Sequence, residues 1–138
     1  MASQTIVFWE VDAQRDFMLP GGNLYVPGAE KQIPNIKRLI AGALDRRVFL
    51  VSSADAHTVD EPEFRSFPAH CVKGTPGAHT IPEGLAENYV TIPNNESLHL
   101  PSDILRYPQI VFEKQTLEAL AKMGAASPQG AAIGVATQ

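Results

Sequence analysis

Apolar positions along this chain switch between two periods. Thr5-Ile6-Val7-Phe8-Trp9-Glu10-Val11 is an almost unbroken apolar run, rich in β-branched and aromatic residues. Such a run predicts a strand over 5–11 buried on both faces, with Phe8 and Trp9 as core candidates. It stops at Asp12, and Leu19-Pro20-Gly21-Gly22-Asn23 is turn chemistry. Ile33, Ile36, Leu39, Ile40, Ala43 and Leu44 then recur at helical spacing. Pro34 falls in the first turn of that helix, where its missing N–H costs little. An apolar run over 48–53 follows. Strand, helix and strand in this order predict a right-handed βαβ unit with parallel strands.

Residues 54–84 are rich in Pro, Gly, His and Thr and lack periodicity. A loop of this length inside a compact domain points to function. Weaker signals predict a short strand over 89–92, a helical turn within 98–107, and a strand over 110–113 ending at Lys114. Leu117, Leu120 and Ala121 suggest a short helix closed by Gly124, and 131–135 a weak last strand. The fold class expected is α/β, in a single domain over 1–138.

Composition narrows the function classes. Apolar residues at 44% and charged residues at 19% describe a soluble globular protein. A net charge of −4 leaves no basic footprint for nucleic acid or an anionic membrane, so neither is an expected partner. No segment is long and apolar enough to span a bilayer, and Met1-Ala2-Ser3-Gln4 does not begin a signal peptide. One cysteine cannot form an internal disulfide, which makes a reducing cytoplasmic location the expectation.

The chemistry-bearing residues fall at strand ends. Asp12 follows the first strand, Asp55 and His57 the second, and Lys114 a later one. Ligands of parallel α/β sheets bind beyond the carboxyl ends of the strands. Asp55 and His57 share one face of an extended segment, and His70 in Phe67-Pro68-Ala69-His70-Cys71 can supply a third arm to a divalent cation. Three mixed O/N ligands leave coordination positions open, as in a working site. Taken singly, each residue also has a plainer reading: Asp12 as a loop cap, the histidines as satisfied surface groups, Lys114 as a solvated lysine. His79 and His99 have no motif support.

The segments Val11-Asp12-Ala13-Gln14-Arg15-Asp16-Phe17-Met18-Leu19-Pro20-Gly21-Gly22, Asp55-Ala56-His57, Pro68-Ala69-His70-Cys71-Val72, Gly74-Thr75-Pro76-Gly77-Ala78, Glu113-Lys114 and Gly134-Val135-Ala136-Thr137 occur in order along the chain. Together they resemble the isochorismatase-like cysteine hydrolases, and within them the nicotinamidase and pyrazinamidase branch. The resemblance implies a three-layer α/β/α fold with a mostly parallel sheet and an Asp-Lys-Cys triad. Asp12 and Lys114 match the acid and the lysine. Asp55, His57 and His70 match the ligands of a divalent metal, zinc first, with iron or manganese as alternatives. Phe17 and Phe67 are implied as walls of a pocket for a small amide. Val135 and Ala136 match the site of an unusual cis peptide that aims oxyanion donors. The implied reaction is hydrolysis of nicotinamide to nicotinate and ammonia, a step of NAD salvage; a homo-oligomer is one expected arrangement.

One feature departs from the pattern. The family's nucleophilic cysteine would fall two positions beyond Gln138, and Cys71 does not match it. The expectation is therefore a C-terminally incomplete domain, with the later strands and helices missing and the 138-residue chain inactive. Cys71 is read as structural. The alternatives are an isochorismatase-like hydrolase of another small substrate, or a non-catalytic fragment that binds metal or a partner. Ala56, where an aromatic residue is often found, bears on pocket shape.

Overall fold

The computed structural model of the chain describes residues 5–94 and 100–115. Among these residues the framework is a four-stranded, all-parallel sheet of β1 (Val7–Val11), β2 (Phe49–Asp55), β3 (Val90–Ile92) and β4 (Gln109–Lys114), in the order β1-β2-β4-β3. A single helical turn, α1 (Arg15–Met18), follows β1, and α2 (Ile33–Leu44) connects to β2. The architecture is the α/β, parallel-sheet fold expected from the alternation of strand and helix patterns. The expected helix over 117–121 and strand over 131–135 lie outside the described residues, as do Val135 and Ala136.

The helix forms because its apolar stripe has somewhere to go. Ile40 and Ala43 pack with Leu50 and Ala86, flanked by Ile36, Leu39 and Val48. Beside them Ala13, Met18 and Ile81 join Leu19, Ala29 and Ile33. Pro34 sits in the first turn. The helix stops where Arg46 takes a left-handed conformation (φ 58°), usually a glycine position. Its guanidinium donates to the carbonyls of Leu105, Arg106 and Tyr107, contacts that a glycine could not make.

Two expectations need correction, and a third is borne out in part of its range. β1 is not buried on both faces: Val7, Phe8 and Val11 are 54%, 46% and 42% exposed. Phe8 is therefore no core residue, and Trp9 is only half-buried. Among the described residues β1 is an edge strand, and an edge strand keeps the apolar composition of a central one. β2 runs two residues further than the apolar run suggests, through Asp55, because its last residues pair with Glu113 and Lys114 of β4. Within 98–107 the helical signal amounts to a 3-10 turn, Ile104–Arg106.

Candidate active site

Register assembles the first part of the site. In β2 and β4 Asp55 stands directly opposite Lys114, at the carboxyl ends of both strands. At the end of β1, Asp12 turns into the left-handed region (φ 57°) while its N–H donates to the Ser53 carbonyl at 3.0 Å. The Lys114 ammonium lies 3.0 Å from Asp12 Oδ1 and also donates to Asp55 Oδ1. Lys114 is 1% exposed, so this cation is held by carboxylates in place of water.

That geometry sets the electrostatics. Burial pushes the Asp12 carboxyl up to about 6, and the Asp55 charge adds to the rise, while Lys114 and His57 oppose it. Burial alone would lower Lys114, but the Asp12 and Asp55 carboxylates outweigh it and hold the ammonium above its ordinary value. A carboxyl titrating near 6 suits proton transfer close to neutrality.

The second part of the site is a pair of imidazoles beside Asp55. His57 forms a parallel bridge with Val72, its N–H donating to the Cys71 carbonyl at 3.1 Å, and this draws the loop carrying His70 alongside. The rings lie 5.0 Å apart, centroid to centroid. Ligand atoms of Asp55, His57 and His70 all fall within 4.8 Å of one another. The Nδ1 of His70 is 2.7 Å from the Pro68 carbonyl. A carbonyl only accepts, so Nδ1 carries the proton and the Nε2 lone pair is left for a ligand. His57 is 1% exposed, and carboxylate oxygens face both ring nitrogens without a well-angled hydrogen bond among the described residues: Asp55 Oδ2 stands 3.4 Å from Nε2 and Glu61 Oε1 3.8 Å from Nδ1. A buried imidazole ringed by carboxylate oxygens and a second imidazole, with no well-angled hydrogen bond to use up its nitrogens, fits a divalent metal. The donors do not by themselves choose among zinc, iron and manganese.

Two residues of this site carried no sequence signal. Glu63 Oε1 lies 2.9 Å from His57 Nε2 and 3.1 Å from His70 Nε2, a further oxygen donor between the imidazoles. Phe64 stands edge-on to both rings at 5.4 and 5.3 Å. Both belong to a 3-10 turn, Pro62–Arg65, in a loop without periodicity. Phe17 packs at 5.3 Å from the His70 ring. Phe67 is 53% exposed and makes none of these ring contacts. Cys71 is fully buried, and its thiol is raised by burial first and then by Asp55, Asp16 and Asp12. A thiol so placed is a poor nucleophile.

No protein-family model and no curated protein matches the chain. Solved structures do. A pyrazinamidase of Pyrococcus horikoshii in complex with zinc superposes with a TM-score of 0.58 at 29% identity, covering 82% of this chain and 53% of its own. A protein from L. infantum in complex with nicotinate gives 0.55 at 25% identity, covering 81% and 50%. An isochorismatase-like hydrolase from Alkaliphilus metalliredigens shares the fold, with 0.59 at 23% identity, covering 88% and 63%. The chain thus spans between half and two thirds of these structures. Its parallel sheet is the isochorismatase-like α/β fold, shared with neighbours that are pyrazinamidases, nicotinamidases and isochorismatase-like hydrolases.

Proposed function

We propose that the chain carries the acid, lysine and metal-binding part of a single-domain amidohydrolase acting on nicotinamide or a close analogue. The observation that carries this reading is the shared use of Asp55. One oxygen accepts from Lys114, which holds Asp12, and the other lies 3.4 Å from His57 Nε2. Acid–base and metal-binding halves thus meet on one carboxylate. The nicotinate complex among the neighbours supports a small ring substrate, and the zinc complex supports a divalent metal.

The activity is proposed for a polypeptide that also supplies the nucleophilic thiol that the resemblance implies, a role Cys71 does not fill. For the 138 residues themselves the proposal is metal binding. Ionised Asp12 takes the thiol proton, and the Lys114 ammonium holds the carboxylate in place as the thiolate attacks the amide carbonyl carbon. As the C–N bond breaks, Asp12 returns its proton to the departing nitrogen and ammonia leaves. Water then attacks the thioester, Asp12 removes its proton, and the regenerated thiolate completes the cycle. Asp55, His57, His70 and Glu63 would hold the cation, which supplies a Lewis-acid centre for a ring nitrogen or water. Phe17 and Phe64 keep that side apolar. In a chain extended to the length of its neighbours, Asp12→Asn should lower ammonia release from nicotinamide at least ~100-fold, the scale of a lost proton carrier, while zinc content is unchanged. Equal turnover by the variant would rule Asp12 out as the proton carrier.

A second reading, a partner-binding role without catalysis, is favoured by one observation. Beside the exposed face of β1 runs a groove of about 1040 Å³ lined by Phe8, Met18, Ile36 and Leu39. An open strand edge next to apolar surface promotes pairing between chains. The 138-residue chain should therefore self-associate with rising concentration in sedimentation velocity. A sharp monomer at all concentrations would count against this second role.

A further inference from the structure

The segment after β1 does more than present Asp12. The left-handed turn at Asp12 ends main-chain pairing of β1 with β2 at Ser53, yet β2 continues to Asp55. The next outward-facing N–H and C=O of β2 are met by a side chain. The Gln14 amide oxygen accepts from the Asp55 N–H at 2.7 Å, and its nitrogen donates to the Asp55 carbonyl at 2.7 Å. The second N–H of the same nitrogen donates to the Ala78 carbonyl at 2.8 Å. Gln14 is fully buried, and its amide stands in for one missing strand residue, clamping the backbone of Asp55 from both sides.

Asp16 acts in the same way on the other arm. It is 5% exposed and forms no ion pair among the described residues, so backbone donors satisfy its charge. Oδ2 accepts from the Cys71 N–H at 2.8 Å, and Oδ1 from the Asn23 N–H at 3.0 Å. Gly77 packs so closely that a Cβ there would come within 2.2 Å of both carboxylate oxygens. Cys71, immediately after His70, holds φ +48°, a conformation unfavourable for a residue with a Cβ. The bond to Asp16 is what retains it, and with it the direction in which His70 leaves the loop.

We propose that Gln14 and Asp16 are positioning residues for the metal centre, Gln14 fixing the backbone of Asp55 and Asp16 that of the His70–Cys71 corner. Asp12, Gln14 and Asp16 alternate along one short segment. They reach, in turn, the lysine, the carboxylate arm and the imidazole arm of the site. The spacing between metal ligands is set by this segment before any cation arrives. The inference rests on the metal-binding reading above and extends it to residues that touch no ligand atom.

The test is zinc affinity by competition with a chromophoric chelator, together with the cobalt-loaded absorption spectrum, on the 138-residue chain. Gln14→Met keeps length without the amide; Asp16→Asn keeps shape but loses one acceptor. Each should bind zinc 10–100-fold more weakly, the usual effect of removing an outer-shell partner, and shift the cobalt bands, with far-UV circular dichroism unchanged. His57→Ala should abolish binding, and His79→Ala should leave it intact. Wild-type affinity and an unaltered cobalt spectrum in both variants would overturn the inference while leaving the metal site standing. A wild-type chain that takes up no metal overturns both. Should Gln14→Met not fold, Asp16→Asn decides alone.

Discussion

Lys114→Met is expected to destabilise the chain by about 3–5 kcal/mol, the penalty for removing one partner from a buried charge cluster. Methionine fills nearly the same volume, so the loss reports charge and not packing. Without the ammonium, Asp12 and Asp55 are left side by side at the ends of adjacent strands, both largely buried. Urea unfolding of four metal-free proteins at neutral pH separates the terms: wild type, Lys114→Met, Asp12→Asn, and the double variant. Removing the Asp12 charge should recover part of the loss, giving a coupling energy of about 1–3 kcal/mol. Additive effects would mean that the lysine is held by its methylene stem alone, and that Asp12 owes its raised pKa to burial without any compensating cation. The same arrangement explains why the lysine is useful. An ammonium shared by two carboxylates offsets the repulsion between them while Asp12, raised by burial, stays able to carry a proton near neutrality.

What could be read from the residues divides along a physical line. The limits of α2 followed from the period of Ile33, Ile36, Leu39, Ile40 and Ala43, since burial of one stripe is a local property of the sequence. The placement of Asp12, Asp55 and Lys114 at strand ends was equally legible, because each apolar run stops at a charge. Strand order was not. β4 inserts beside β2 and pushes β3 outward, a consequence of crossover paths through loops without periodicity. The exposure of β1 was hidden for a related reason: Val7 and Phe8 have the same composition whether or not another strand lies beside them. Glu63 and Phe64 reach the imidazoles only because a 3-10 turn folds back over His57, and nothing in their spacing announces it. Gln14 and Asp16 lie inside a segment that carries the family resemblance, yet their roles depend on what stands opposite them, Asp55 and Cys71, far away in the chain.

Raising the pH from 4 to 8 is expected to weaken the fold through Glu10, and Glu10→Gln should abolish that loss. Glu10 pairs with Ser52 across β1 and β2 and is 8% exposed. Its Oε2 has no partner among the described residues. The Ser52 hydroxyl accepts from Gln109 at 2.7 Å, and Gln109 also holds Gly84 and Ala86, so Glu10 ends a buried polar chain that crosses the sheet. Burial pushes its carboxyl up to about 7 from an ordinary 4.5, with the Ser52 hydrogen bond opposing only in part. Between those two values the unfolded chain has released the proton and the folded chain still binds it, so each rise in pH favours unfolding. Below 4.5 both states are protonated and nothing is lost; above 7 both are ionised and the loss is complete, at ~3 kcal/mol for a shift of this size. Glutamine has the same shape and stays neutral throughout. The two proteins should therefore unfold at similar urea concentrations at pH 4, then diverge through the window from 4.5 to 7, with the variant the more stable at pH 8. Parallel profiles across that window would mean that the carboxylate is solvated when charged, and that the polar chain through Ser52 and Gln109 opens to water at the β1 edge.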